Sequence, residues 1–203
     1  MSNEILYILL PDYAAHEAVY LSQAIASDEY ALKAHPLYVN KVVAPTLEPV
    51  RSIGGFRTLP DYSFDTVPDD YAALVLIGGF GWSTPVAECV MPIVKKAVEN
   101  GKIVGAICNG ASFLAKCGLL NNVRHTGNGP EQLQLWGGEN YTNPEGYVHA
   151  QAVSDRNIVT ANGSATLEFA RELLLLLEND TPEHIEMYYQ FNKHGFCSLF
   201  PAE

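Results

Sequence analysis

The 203 residues, 48% hydrophobic and 17% charged, supply apolar material for the core of one α/β domain spanning 1–203 and too little length for a second independent one. Twelve basic against 23 acidic residues give a formal charge of −11, with no basic run longer than Lys95-Lys96, which argues against nucleic acid or anionic membrane as a partner. The N-terminus lacks the basic start and small-residue cleavage site of a secretory signal, and the longest later apolar run, Leu173 to Leu177, is too short to span a bilayer, so the reading is a soluble cytoplasmic protein.

Ile5 to Leu10 is a continuous apolar run closed by Pro11-Asp12, the pattern of a strand buried on both faces of a parallel sheet. From Ala14 to about Ala26, Ala18, Leu21, Ala24 and Ile25 recur at helical spacing. Pro36 to Ala44 reads as a second strand. Residues 45 to 70, rich in Pro, Gly, Asp and Thr, read as short extended pieces joined by turns, with a bend at Ile53-Gly-Gly-Phe56. Ala72 to Ile77 is another buried strand, ended by Gly78-Gly79, and a helix follows from Pro85 to about Asn100. Lys102 to Ile107 is a third such strand, followed by Cys108-Asn109-Gly110 and a helix from Ala111 to Lys116. Later elements are a helix near Pro130 to Trp136, strands near Tyr147 to Val153 and Asn157 to Thr160, and helices from Ala165 to Glu178 and Pro182 to Asn192. Strands alternating with helices imply βαβ units and a mainly parallel sheet.

In such a sheet, ligands bind beyond the carboxyl ends of the strands, which points to Asp12–Glu17, Gly78-Gly79 and Cys108-Asn-Gly110. The small residues Ala106 and Gly110 flank Cys108 at the spacing that permits a sharp strand-to-helix turn. A helix N-terminus favours the thiolate; a buried cysteine that merely packs is the competing reading, and the turn alone does not separate the two. The four cysteines, 89, 108, 117 and 197, form no CxxC pair and no metal-ligand spacing with the six histidines, so free thiols, no metal and no cofactor are expected. Gly78-Gly79 alone is only a turn signal. Beside Cys108, the amides of Gly79 and Asn109 would form a two-donor oxyanion pocket. Glu17, in the first turn of its helix, would there be desolvated and exchange a proton with the thiol; on an isolated surface helix it would be a solvated carboxylate.

Ala72-Ala-Leu-Val-Leu-Ile-Gly-Gly79, Val104-Gly-Ala-Ile-Cys-Asn-Gly-Ala-Ser-Phe-Leu-Ala115 with Gly118-Leu-Leu120, and Leu10-Pro-Asp-Tyr-Ala-Ala-His-Glu17 resemble the motifs of the ThiJ/PfpI superfamily, whose domain is like that of class I glutamine amidotransferases. Val153 to Thr160 resembles its late strand pair. The resemblance implies a flavodoxin-like three-layer α/β sandwich with Cys108 as nucleophile at an elbow, Glu17 as acidic partner, and Gly79 and Asn109 as oxyanion donors. Many members carry a histidine where this chain has Asn128, after Thr126-Gly127, and asparagine is no general base. His125 is read as a loop residue, with a compensating role second to that. His184-Ile-Glu186 imitates the spacing of an amidotransferase H-P-E motif, but belongs to a terminal helix and is expected far from Cys108.

The resulting expectation is a cysteine-dependent hydrolase or lyase acting on a small electrophile. The alternative is a non-enzymatic redox sensor or ligand-binding protein, with glutamine amidotransferase and peptidase ranked below. A homodimer is one use for the apolar tail Phe196 to Phe200, packing on its own domain the other. Cys89 and Cys117 are expected on apolar helix faces, so that Cys108 reacts first among the thiols.

Overall fold

The computed structural model describes residues 3–26 and 37–199. The first strand, β1 (Glu4–Ile8), leads into helix α1 (His16–Ala26), and β2 (Val39–Ala44) returns parallel to β1. The expected start of that second strand, Pro36, lies outside the described residues, as does Phe200 of the apolar tail. As the Pro- and Gly-rich composition predicts, residues 45–70 form only short pieces: β3 (Val50–Arg51) and β4 (Arg57–Thr58) pair as a hairpin, and β5 (Tyr62–Ser63) extends the main sheet beside β2. The remaining elements are β6 (Ala73–Leu76), α2 (Met91–Glu99), β7 (Ile103–Ile107), α3 (Asn109–Lys116), α4 (Pro130–Gly137), β8 (Ala152–Asp155), β9 (Ile158–Ala161), α5 (Thr166–Leu176), α6 (Pro182–His194) and α7 (Phe196–Leu199).

The seven-stranded sheet runs in the order β5-β2-β1-β6-β7-β9-β8, parallel throughout except where β8 pairs antiparallel with β9. Its central strands are apolar along their whole length because both faces are covered. In β1, Leu6 and Ile8 face the core under α2, α3 and α4, while Ile5 and Tyr7 face the core under α1, α5 and α6. Leu74 and Leu76 of β6 likewise oppose Ala73 and Val75. This is the flavodoxin-like α/β architecture that the resemblance implies, built on the mainly parallel sheet that the continuous apolar runs predict. Among the described residues no helix is long and apolar enough to cross a membrane.

Three expectations need correction. The single helix expected over Pro85 to Asn100 is a 3-10 segment, Pro85–Val90, followed by α2. Pro92 forces the break: its ring would clash with the carbonyl four residues back in a continuous α-helix, and it sits instead in the first turn of a new one. The helix after Cys108 begins at Asn109 and not Ala111, since the Cys108 carbonyl already accepts the Ala111 amide at 3.0 Å. Of the expected strand from Tyr147 to Val153 only the last part joins the sheet. Residues 147–150 bond to the loop before α4 instead, through Val148 N–H to His125 O at 2.7 Å and Thr126 Oγ1 to Ala150 O at 2.9 Å.

Candidate active site

Four parallel neighbours, β1, β6, β7 and β9, end at the same edge of the sheet, and the loops beyond them meet around Cys108. That residue is the turn between β7 and α3, with φ 59° and ψ −126°. A non-glycine residue held there costs about 1–3 kcal/mol, which its surroundings must supply. They do so from both sides: its amide donates to Ala161 O of β9 at 3.0 Å, and its carbonyl starts α3. The sharp turn expected from the flanking small residues is therefore present.

Glu17 projects from the first turn of α1 and is 2% exposed. The Gly78 amide donates to its Oε2 at 2.7 Å, and its carboxyl lies beside the Cys108 side chain, both within contact of the Cβ positions of Gly78 and Gly163. A Cβ on Gly78 would stand 2.5 Å from both the Cys108 Cβ and Glu17 Oε2, so only a residue without a side chain lets β6 meet the thiol and the carboxyl together. Gly79 has φ 134°. It pairs with Tyr13 through a bridge whose bonds, Ala14 N–H to Gly78 O and Phe80 N–H to Asp12 O, use the flanking amides and leave the Gly79 amide outside the ladder. The Asn109 side chain spans the same gap, donating to Gly79 O at 2.9 Å and accepting from Gln132 Nε2 at 2.8 Å.

Asn128, which stands where the resemblance places a histidine, touches the sulfur directly. Its Nδ2 donates to Cys108 Sγ at 3.3 Å, and its Oδ1 accepts the Gly163 amide at 2.9 Å. Because an amide N–H can only donate, the second bond fixes which end of the Asn128 carboxamide faces the sulfur. Gly163 is held on its other side by His16 Nε2, which donates to its carbonyl at 3.4 Å. These partners lie 35 and 147 residues apart in sequence, so no local spacing announces them.

Burial pushes the Glu17 carboxyl up, opposed by the Gly78 amide, the thiol and His16. Burial and then the charge of Glu17 push the Cys108 thiol up, opposed by the N–H donors of Asn128 and Asn109. The helix N-terminus alone therefore does not hold the sulfur as thiolate.

Cys108 opens on a cleft of about 910 Å³, lined by Asn128 to Glu131 and by Tyr147, His149, Gln151 and Ser164. His125 is not part of it. It is a loop residue, as read, but fully buried, with Nδ1 on Val123 O and Nε2 on Tyr141 Oη, and burial lowers its pKa. His184 faces Asp180 at 3.2 Å on α6, and Glu186 pairs with Arg171, so the H-P-E mimic is built into another surface. Cys117 is buried, its thiol pushed up to about 12 by desolvation, whereas Cys89 is exposed and does not sit on an apolar face as expected. Among the described residues no group of three or more His, Cys, Asp or Glu side chains is placed to hold a metal ion.

The sequence pattern of the DJ-1/PfpI family matches residues 3–176. A Bacillus subtilis protein named as an uncharacterized protease is 38% identical over 94% of this chain and 91% of its own length. A solved thiJ/pfpI family protein from Bacillus anthracis superposes with a TM-score of 0.90, at 31% identity, covering 98% of this chain and 94% of that one. A DJ-1 superfamily protein from Agrobacterium tumefaciens does so with a TM-score of 0.82, at 32% identity, covering 95% and 98%. Two more distant relatives carry enzyme names: a deglycase of Thermococcus kodakarensis, 31% identical over 61% of this chain and 73% of its own, and a glutathione-independent glyoxalase of Caenorhabditis elegans, 26% identical over 64% and 69%.

Proposed function

The chain belongs to the DJ-1/PfpI family, and from that premise we propose that it is a cysteine-dependent hydrolase or lyase of small reactive carbonyl compounds. Cys108 is the nucleophile. As its sulfur bonds to the carbonyl carbon, the thiol proton passes to the Glu17 carboxylate and the π electrons move onto oxygen. The amides of Gly79 and Asn109 stabilise that oxyanion, and Glu17 returns the proton to it. The Asn128 N–H steadies the sulfur throughout.

Asn128 is the observation that carries the choice of substrate. Cleaving a peptide requires a group that protonates the departing amine, and a carboxamide has no proton to give at neutral pH. Addition to an aldehyde expels no amine, so one carboxyl suffices. The names of the glyoxalase and deglycase relatives accord with that chemistry, while two more similar Bacillus subtilis relatives carry protease names. The test is incubation with a panel of 2-oxoaldehydes and, separately, with an unfolded protein. The expected result is conversion of R–CO–CHO and water to R–CHOH–COOH with no new peptide termini. Peptide cleavage without aldehyde loss would overturn this reading.

A further inference from the structure

The cleft above Cys108 presents charge of one sign. Gly129, with φ 144°, turns the chain so that α4 starts at Pro130 and sets Glu131, exposed in its first turn, on the cleft wall. Helix N-termini favour a negative side chain at this position. Among the described residues lining the cleft there is no lysine or arginine, and His149 is the only other ionisable side chain besides the thiol and Tyr147. Several carboxylates elsewhere are ion-paired, Glu88 with Lys116, Glu168 with Lys193 and Glu186 with Arg171. Glu131 has no such partner among the described residues. The cleft is also lined by amide and hydroxyl side chains and by Tyr147, an aromatic residue of the kind whose ring faces attract cations.

We propose that Glu131 makes this a cleft for cation-bearing carbonyl compounds, accepting uncharged ones and rejecting carboxylates and phosphates. The proposal rests on Cys108 being the reacting thiol. An anion entering meets a carboxylate with no cation to offset it, and an ammonium or guanidinium arm meets both that carboxylate and the tyrosine. In a solvated cleft one charge several ångströms away changes encounter with a singly charged reagent by roughly threefold in either direction, so the cation-to-anion ratio is on the order of tenfold at low salt.

Two thiosulfonates of similar size and opposite charge measure this without requiring the natural substrate. In (2-trimethylammonioethyl) and (2-sulfonatoethyl) methanethiosulfonate, a cysteine thiolate attacks the sulfenyl sulfur, a disulfide forms and methanesulfinate leaves. Labelling at pH 8.5, above the ordinary range of histidine, is mapped by peptide mass at each cysteine. Exposed Cys89 and Cys197 serve as internal references for the net negative charge of the whole chain. Cys108 is expected to favour the cationic reagent by roughly tenfold more than these references do, with the excess falling in 0.5 M salt and largely vanishing in Glu131→Gln. Equal preference at Cys108 and the references, or an excess that survives Glu131→Gln, would overturn the role of Glu131 while leaving Cys108 as the nucleophile. Labelling of Cys89 and Cys197 with none at Cys108 would overturn both readings.

Discussion

Replacing Gly163 by alanine tests whether the clamp on the sulfur controls its reactivity. The added Cβ would stand 2.9 Å from Cys108 Sγ, 3.2 Å from its Cβ and 3.4 Å from Glu17 Oε1. Ordinary contact begins at 3.4 Å, so sulfur and methyl overlap by about 0.5 Å. Gly163 has no positive φ, so the backbone itself tolerates alanine and the whole cost arises from this contact. Either the sulfur moves away from the Asn128 donor, or the loop recoils and loosens the Asn128 and His16 bonds that hold it. Overpacking of this kind costs about 1–3 kcal/mol. Expressed in the reacting state, that is roughly five- to hundredfold in rate. The assay is the second-order rate of Cys108 alkylation by iodoacetamide, read by peptide mapping, beside a thermal melt. The expected result is alkylation slowed about tenfold with cooperative unfolding retained. A wild-type rate at Cys108 would refute the clamp.

Glu17→Gln keeps an acceptor for the Gly78 amide but cannot exchange a proton, and turnover is expected to fall on the order of 10²- to 10⁴-fold. Its stability should move the other way with pH: a carboxyl whose folded pKa is raised contributes stability that is full below the unfolded value and lost as pH rises through the folded one. Denaturant titrations between pH 5 and 8 should therefore show the variant gaining on wild type as pH rises; a constant difference would mean that Glu17 is not strained by its charge. His184→Ala should leave turnover within about twofold, because its ring faces Asp180 and not the thiol, and a large loss would restore an amidotransferase-like triad.

How legible the site was depended on the range of the contacts that make it. Strands β1, β6 and β7 could be read because burial on both faces leaves uninterrupted apolar runs, and Cys108 because Ala106 and Gly110 frame a turn no bulky neighbour would allow. Glu17 was legible from its place just beyond β1, where a parallel sheet directs its ligands. The clamp of Asn128, Gly163 and His16 was not, since it forms only when β1, β9 and the loop before α4 converge. Nor was the burial of His125, a loop residue whose ring is enclosed by Tyr141 and Tyr147. The break before α2 had a visible signal in Pro92, outweighed in the periodicity by the apolar residues on either side.

The central claim is that chemistry passes through the Cys108 sulfur, and turnover of a 2-oxoaldehyde by Cys108→Ser, set beside the Cys89→Ser/Cys197→Ser double variant, tests it most directly. A serine hydroxyl in this turn retains the shape of the site but is far harder to ionise, so the single variant is expected to lose on the order of 10³-fold or more while the double variant keeps the wild-type rate. Wild-type turnover by Cys108→Ser, with its fold verified by circular dichroism, would contradict the claim.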